Sequence, residues 1–488
     1  MTLETKVSVS LPSASGLRAN CLPFSEVLAQ SIANIAPTAT PALTVALVFA
    51  SAGKGTWLTY VIATIGLVFV GLNINQFARR SASPGSLYAY ITKGLGATAG
   101  VITGWSLIVA YLFTAMAVQC GFVNFSDVLL QPLGLNFSPV FLLAIGTGIA
   151  WYCAYRDIKL SAALMLVLEI VSIGLILVLG IIILFHKGYV IDKSQVTLEG
   201  VQPSNIMFGL ILGVLSYVGF ESATTLGDEA KSPLRNIPRA VILSTLVSGV
   251  FFVVITYIET LGFEGMAKPL NESTSPLGDL ADASGVGFFG VIIAVCAVIS
   301  MFACTLACIN AGSRILFTMG RHSIVHHLIG RAHGRNETPH VAVTISALLI
   351  FLITGVCYLA GVGVLNGFAY FGTIATYGFL LAYILVSIAA PIYLAREGRL
   401  KAQHIIYSVA AVVLMMIPTV ASIGIPIEGS LFPVPPAPYG IFPYFFLAYL
   451  VMGAGWFLML RSRSPEIIEA MEADIEASHL KFSDMHKV

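Results

Sequence analysis

With 488 residues, 57% of them hydrophobic and only 10% charged, the chain has a mean hydropathy of +0.90. It carries far less charge than the ~25% of a soluble domain, so its polar residues do not suffice to cover a soluble core and the bilayer must solvate most of its surface. The net charge of +1 gives no basis for binding nucleic acid.

Residues 1–20 are polar and lack the apolar run of a cleavable signal peptide. The first span is therefore expected to direct insertion, behind a cytoplasmic segment at 1–24. About twelve stretches are long enough to cross ~30 Å of hydrocarbon at ~1.5 Å per residue. They run roughly 25–50, 57–78, 98–124, 138–155, 161–186, 205–227, 239–262, 286–310, 339–360, 367–394, 404–424 and 443–460. They make a transmembrane domain of 25–460 with no soluble domain inserted. A tail at 461–488 carries Glu466, Glu469, Glu472, Asp474 and Glu476. It reads as a solvated cytoplasmic helix or a disordered tail.

Lys and Arg placement sets the orientation. With the N-terminus inside, only Lys54, Lys187, Lys193 and Lys268 of the 25 basic residues fall outside. Both termini are therefore expected in the cytoplasm of a multi-pass cell-membrane protein. The seven cysteines lie mostly in apolar spans and show neither metal-ligand spacing nor a disulfide framework. No metal or cofactor is expected.

Two spans are interrupted. The first contains Ile35-Ala36-Pro37-Thr38-Ala39-Thr40-Pro41, and the sixth Ser216-Tyr217-Val218-Gly219-Phe220-Glu221. Both prolines lack a backbone N–H and crowd the preceding turn. A glutamate at bilayer depth costs about 2.5–3.5 kcal/mol and faces the protein interior or a water path. Paired interruptions in the two halves of such a chain point to a transport site. A half-helix N-terminus offers N–H donors to a carboxylate, and the opposite end offers carbonyls to an ammonium. One break therefore suits both ends of an α-amino acid. Glu169, in the fifth span, is a second intramembrane carboxylate and a candidate for a proton or cation role. Glu259 is expected at the outer interface. Ser300 and Thr305 are candidates to line a cation site, against the commoner bond back to their own helix.

The loops carry further motifs: Pro84-Gly85 with Tyr88, Gly104-Trp105, Gly219-Phe220-Glu221, Glu229 with Pro233 and Ile237-Pro238-Arg239-Ala240, and Gly312-Ser313-Arg314 with Thr338-Pro339-His340. In this order, over nearly the whole chain, they resemble the amino acid–polyamine–organocation transporter superfamily. The resemblance implies an all-α integral membrane fold of about 12 helices. Spans 1–5 and 6–10 would form a five-plus-five inverted repeat, the leucine-transporter fold, with two helices added. It also implies that Thr38 stands at a hydroxyl position, with Ala39 and Thr40 supplying N–H groups and Ile35 and Ala36 carbonyls. Leu215 and Val218 would offer carbonyls to an ammonium, and Tyr217 and Phe220 would wall the pocket around Gly219. Prolines and Ala39 stand where relatives carry glycines. Leu215 and Cys304 align where some basic-amino-acid exchangers carry tryptophans, which favours neutral or hydrophobic amino acids.

The expected function is secondary active transport of amino acids by alternating access, as proton-coupled uptake, with Glu221 and Glu169 as gating or proton-coupling candidates. The alternatives are an amino acid/amine exchanger, a polyamine transporter or, in a different class, a non-transporting amino acid sensor. No nucleophile–base set or phosphate-binding loop supports an enzyme or an ATP-driven pump.

Overall fold

The computed structural model describes residues 16–156, 159–427 and 429–483. The first 15 residues, with Lys6, and the last five, with Lys487, lie outside them. Seventeen helices make up the described chain. In order they are α1 (Phe24–Ile35), α2 (Val45–Ala52), α3 (Thr56–Ala78), α4 (Ser86–Leu95), α5 (Ala97–Leu130), α6 (Pro139–Arg156), α7 (Lys159–His186), α8 (Lys193–Val196), α9 (Pro203–Leu215), α10 (Pro233–Phe263), α11 (Pro276–Ala283), α12 (Gly287–Arg321), α13 (His340–Leu359), α14 (Val364–Arg396), α15 (Ala402–Ile423), α16 (Phe442–Arg463) and α17 (Glu466–Ser483). The one β-bridge among the described residues joins Leu22 to Ala230.

Nine stretches among the described residues are long and apolar enough to cross a membrane. The first, Phe24–Ala78, holds two crossings: the broken α1–α2 pair and α3. Together with α6 and the broken α9 segment, they account for the expected count of about twelve. The chain is a multi-pass membrane protein.

The long helices α5, α12 and α14 form the centre of the bundle. The central stretch of α5 is 83% buried, against 33% for α15 and 22% for α16. These last two helices face lipid, with Ile406, Val409, Val413, Leu447, Val451 and Met452 exposed. Helix α3 packs along α10, and α5 along α12. The second span of each half thus lies beside its counterpart, and so does the third.

Two expectations change. Aromatics that follow a loop turn such as Pro84-Gly85 suit a membrane interface, yet Tyr88 is fully buried and Tyr90 almost so. They sit on α4, a short helix folded under α5 and α14, where Phe77 stacks between Tyr90 and Tyr393. The acidic tail is not simply solvated either. Helix α17 lays Met471 and Ile475 into the protein. Asp474 meets Arg321 at 3.3 Å and His322 at 3.0 Å, and Glu476 meets Lys93 at 3.0 Å. Apolar residues at 471 and 475, one turn apart, form a stripe that the charge count conceals.

Candidate functional site

The first break begins where the prolines predict. Helix α1 ends at Ile35, and Ala36 takes φ 48° and ψ 66°, a left-handed conformation uncommon for a residue with a Cβ. The Ala36 amide reaches back to Ile32 O at 3.0 Å, and the Ala39 amide bonds Ala36 O at 2.9 Å. The chain then re-enters helix through a wide turn at Thr40–Thr44, continuous with α2. Ile35, Ala36, Thr38, Ala39 and Thr40 are all buried. The Thr38 hydroxyl is turned towards α7, 2.9 Å from Glu169 Oε2 and 2.7 Å from Ser172 Oγ.

The second break follows Leu215. The backbone descends in tight turns: Val218 N bonds Leu215 O at 3.2 Å, Phe220 N bonds Tyr217 O at 3.1 Å, and Ser222 N bonds Gly219 O at 2.8 Å. Gly219 has φ +86°, and a Cβ there would collide with the Asn34 side-chain amide. Only glycine meets both the dihedral and the contact. The two breaks are hydrogen-bonded together. Ser31 Oγ donates to Phe220 O at 2.8 Å and accepts from Ala223 N at 3.2 Å, while Ser222 Oγ donates to Gln30 O at 3.2 Å. Phe220 packs on Tyr383 of α14, ring centres 5.4 Å apart. Tyr217 faces α3 and α10, its hydroxyl 2.6 Å from Thr64 Oγ1 and its ring 5.0 Å from Phe252.

Asn34 was not among the residues singled out from sequence. Its Oδ1 accepts from Cys308 Sγ at 2.8 Å, and its backbone carbonyl accepts from Cys304 Sγ at 3.1 Å. Its Nδ2 is buried without a hydrogen-bond partner. The signal was an asparagine in an apolar run, two residues before the first break. It presents an unpaired donor where the two breaks cross.

The intramembrane carboxylates differ in kind. Glu221 is fully buried, with Oε1 accepting from Tyr111 and Oε2 from Tyr383, both at 2.7 Å. It ties the second break to α5 and α14 with both oxygens engaged. Glu169 is also buried, but its Oε1 has no partner. Around it stand Thr38, Ser172 and Ser300, from α7, α12 and the first break. Ser300 Oγ is itself unpartnered within hydrogen-bond distance, whereas Thr305 bonds back to Met301 O at 3.0 Å. Three hydroxyl-bearing side chains thus gather around one carboxyl. Oxygen ligands of this kind suit a proton or a hard cation. Among the described residues, no group of three or more His, Cys, Asp or Glu is placed to hold a metal ion.

Glu259 lies near the end of α10 but does not face outward. It is completely buried, and both its oxygens lack a hydrogen-bond partner. Helix α10 packs along α3, and the Glu259 side chain is enclosed in the bundle rather than turned outward.

Below the breaks, towards the end of the bundle that carries most of the basic residues, the chain is sealed. The segment before α1 runs beside the one after the second break: Cys21 N and Leu22 N donate to Glu229 O at 2.8 and 2.9 Å, and Lys231 N donates to Leu22 O at 2.8 Å. Arg314 of α12 closes on Glu229 with two bonds of 2.7 Å and adds a third, at 2.8 Å, to Asn310 O. Both ionic side chains are nearly inaccessible, at 2% and 3%.

The family model for "Amino acid permease" matches residues 26–463. The chain belongs to that family. The permease is similar to the branched-chain amino acid permease BcaP of Lactococcus lactis subsp. cremoris, 25% identical over 71% of this chain and 76% of that one. It is also similar to the low-affinity putrescine importer PlaP of Escherichia coli, 24% identical over 66% of this chain and 71% of that one. In structure it resembles a Na+-coupled sialic acid symporter solved in a substrate-bound outward-open state. The TM-score is 0.51 at 13% identity, covering 81% of this chain and 89% of that one. The permease therefore has the expected helical transporter fold. It is a transporter rather than an enzyme, and amino acid transport is its family's activity.

Proposed function

We propose that the permease takes up a neutral amino acid with an apolar side chain across the cell membrane, with both termini in the cytoplasm, and that the site lies where the two breaks cross. The observation that carries this reading is Glu221. Both its oxygens are held by tyrosine hydroxyls, so it offers no acceptor to a second cationic group on the substrate. The similarity to BcaP, named for branched-chain amino acids, supports the same choice. The substrate carboxylate meets Asn34 Nδ2 and the amides at the start of the wide turn. Its ammonium meets the carbonyls that end α1 and α9. The bonds Ala39–Ala36 and Val218–Leu215 are short-range and yield to these ligands, each contributing only about 1 kcal/mol net.

Glu169 is the proton-carrying group in this reading. Its carboxyl accepts from Thr38, a residue of the first break, so its protonation changes what that break is tied to. Substrate and proton drive the cycle by binding the outward- and inward-facing states unequally. The similarity to PlaP, a putrescine importer, supports a second reading in which the free Glu169 Oε1 receives a second ammonium.

The test is proteoliposome uptake of radiolabelled leucine with competitors, with and without an inward proton gradient. Isoleucine and valine should compete, and the gradient should accelerate uptake by the wild type but not by Glu169→Gln. Competition by putrescine or arginine alone overturns the neutral-substrate reading. A Glu169→Gln variant that still responds to the gradient removes the proton role from that residue.

A further inference from the structure

Away from the two breaks, at the basic end of the bundle, a cavity of ≈ 610 Å³ opens between α3 and α10. Its walls include Asn75, Arg79, Arg235, Arg239, Ile242 and Leu246. Its composition is divided. Three arginines occupy one end, and no acidic residue lines it. None of these three side chains forms an ion pair or hydrogen bond among the described residues, although Arg18, Lys93, Arg314 and Arg321 nearby all do. The first turn of α10 adds the positive end of a 31-residue helix. The other end is apolar and continues onto exposed α10 residues: Leu243, Leu246, Val247 and Val250. Arg239 and Leu246 are seven residues apart, about 10 Å along the axis. That is the distance from a lipid head group to the upper acyl chain.

Two acceptors mark the polar end as built for more than a point anion. Asn75 is 2% exposed. Its Nδ2 donates to Pro238 O at 3.0 Å, while its Oδ1 is buried and without a partner. Pro238 lies inside α10 and has no N–H to give to the carbonyl of Leu234 four residues back. Leu234 lines the same cavity. Arginines alone would suit any phosphate. Arginines, the unpaired Asn75 Oδ1, a carbonyl that Pro238 deprives of its usual helical donor and an apolar exit suit a phosphodiester that carries both hydroxyl donors and acyl chains.

We propose that this cavity binds one anionic phospholipid with a hydroxylated head group, of the phosphatidylglycerol type. Arg79, Arg235 and Arg239 hold the phosphodiester. Asn75 Oδ1 and the Leu234 carbonyl accept from the head-group hydroxyls, and the acyl chains follow Ile242, Leu243 and Leu246. Basic pockets between spans are a general solution for recognising anionic head groups. Helix α10 is the next long helix after the second break, so an occupied cavity braces the span that the break leads into.

The experiment is native mass spectrometry of the full chain in detergent, titrated with dioleoyl phosphatidylglycerol, phosphatidic acid, phosphatidylcholine or inorganic phosphate. Melting temperature is read in parallel. The wild type should retain one phosphatidylglycerol, with a rise in melting temperature that phosphatidylcholine does not reproduce. Arg235→Gln/Arg239→Gln, two exposed positions, should weaken that binding roughly 30-fold, as removal of two interfacial cations predicts. Asn75→Leu should narrow the preference for phosphatidylglycerol over phosphatidic acid, which has no head-group hydroxyl. Equal retention by the double variant overturns the proposal, as does equal retention of phosphatidylcholine by the wild type. So does inorganic phosphate giving the full rise in melting temperature, which would mark a simple anion site.

Discussion

The buried pair Glu229–Arg314 provides the sharpest test of the seal beneath the two breaks. Arg314 gives Glu229 two bonds of 2.7 Å, and the side chains are 2% and 3% accessible. Glu229→Gln keeps the shape and removes one charge, leaving Arg314 buried and uncompensated. Removing one partner of such a pair costs about 3–5 kcal/mol, whereas replacing both with apolar residues is often neutral. At about 1.4 kcal/mol per decade, that weakens the sealed state relative to any state in which Arg314 reaches water by roughly 10²- to several 10³-fold. A seal closed ~99% of the time would then be open for half the time or more. Cys21 is a natural reporter, since its amide is bonded to Glu229 O. Labelling of Cys21 by a polar maleimide should accelerate strongly in Glu229→Gln and in Arg314→Met. It should return towards the wild-type rate in Glu229→Met/Arg314→Met. If both single variants stay folded and label at the wild-type rate, the pair does not hold the seal and the argument fails.

Two further outcomes follow from the same geometry. Gly219→Ala places a Cβ against the Asn34 amide at a backbone φ of +86°. It should cut uptake at least tenfold and lower the melting temperature while the protein still inserts, and normal uptake would show that the crossing of the breaks tolerates widening. At the tail, the hydrogen bond from His322, aided by Arg321, holds the Asp474 carboxyl below its usual range. A depressed carboxyl pKa stabilises docking in full above the ordinary aspartate value of ~3.9 and loses that contribution only as pH falls through the lowered one. Helix α17 should therefore stay docked from pH 8 to pH 5, as read by protease sensitivity of the tail, and Asp474→Asn should loosen it throughout. Release of the wild-type tail between pH 7 and 5 would refute this reading.

Much of this protein is legible along the chain because the bilayer acts locally. Each crossing must supply its own apolar length and satisfy its own backbone, so the spans show as apolar runs. Pro37, Pro41 and Gly219 mark the breaks because proline and glycine alter the helix where they stand. What each polar side chain does was settled only by its neighbours from distant spans. Glu221 and Glu169 look alike as lone carboxylates in apolar runs. Tyr111 and Tyr383, 110 and 162 residues away, satisfy both oxygens of the first, while the second keeps one unpaired. Glu259 looked interfacial by its place near the end of a span, yet its side chain is enclosed in the bundle. Asn34 was an ordinary polar residue until Gly219 was laid against it, and the acidic tail was a solvated helix until Met471 and Ile475 found a surface. The sequence by itself determined where helices run and where they break, because those are properties of a few neighbouring residues. Only the tertiary structure decided which buried polar atoms are paired and which are left to bind something, because hydrogen bonds in a membrane protein's interior close between spans that are far apart in the chain.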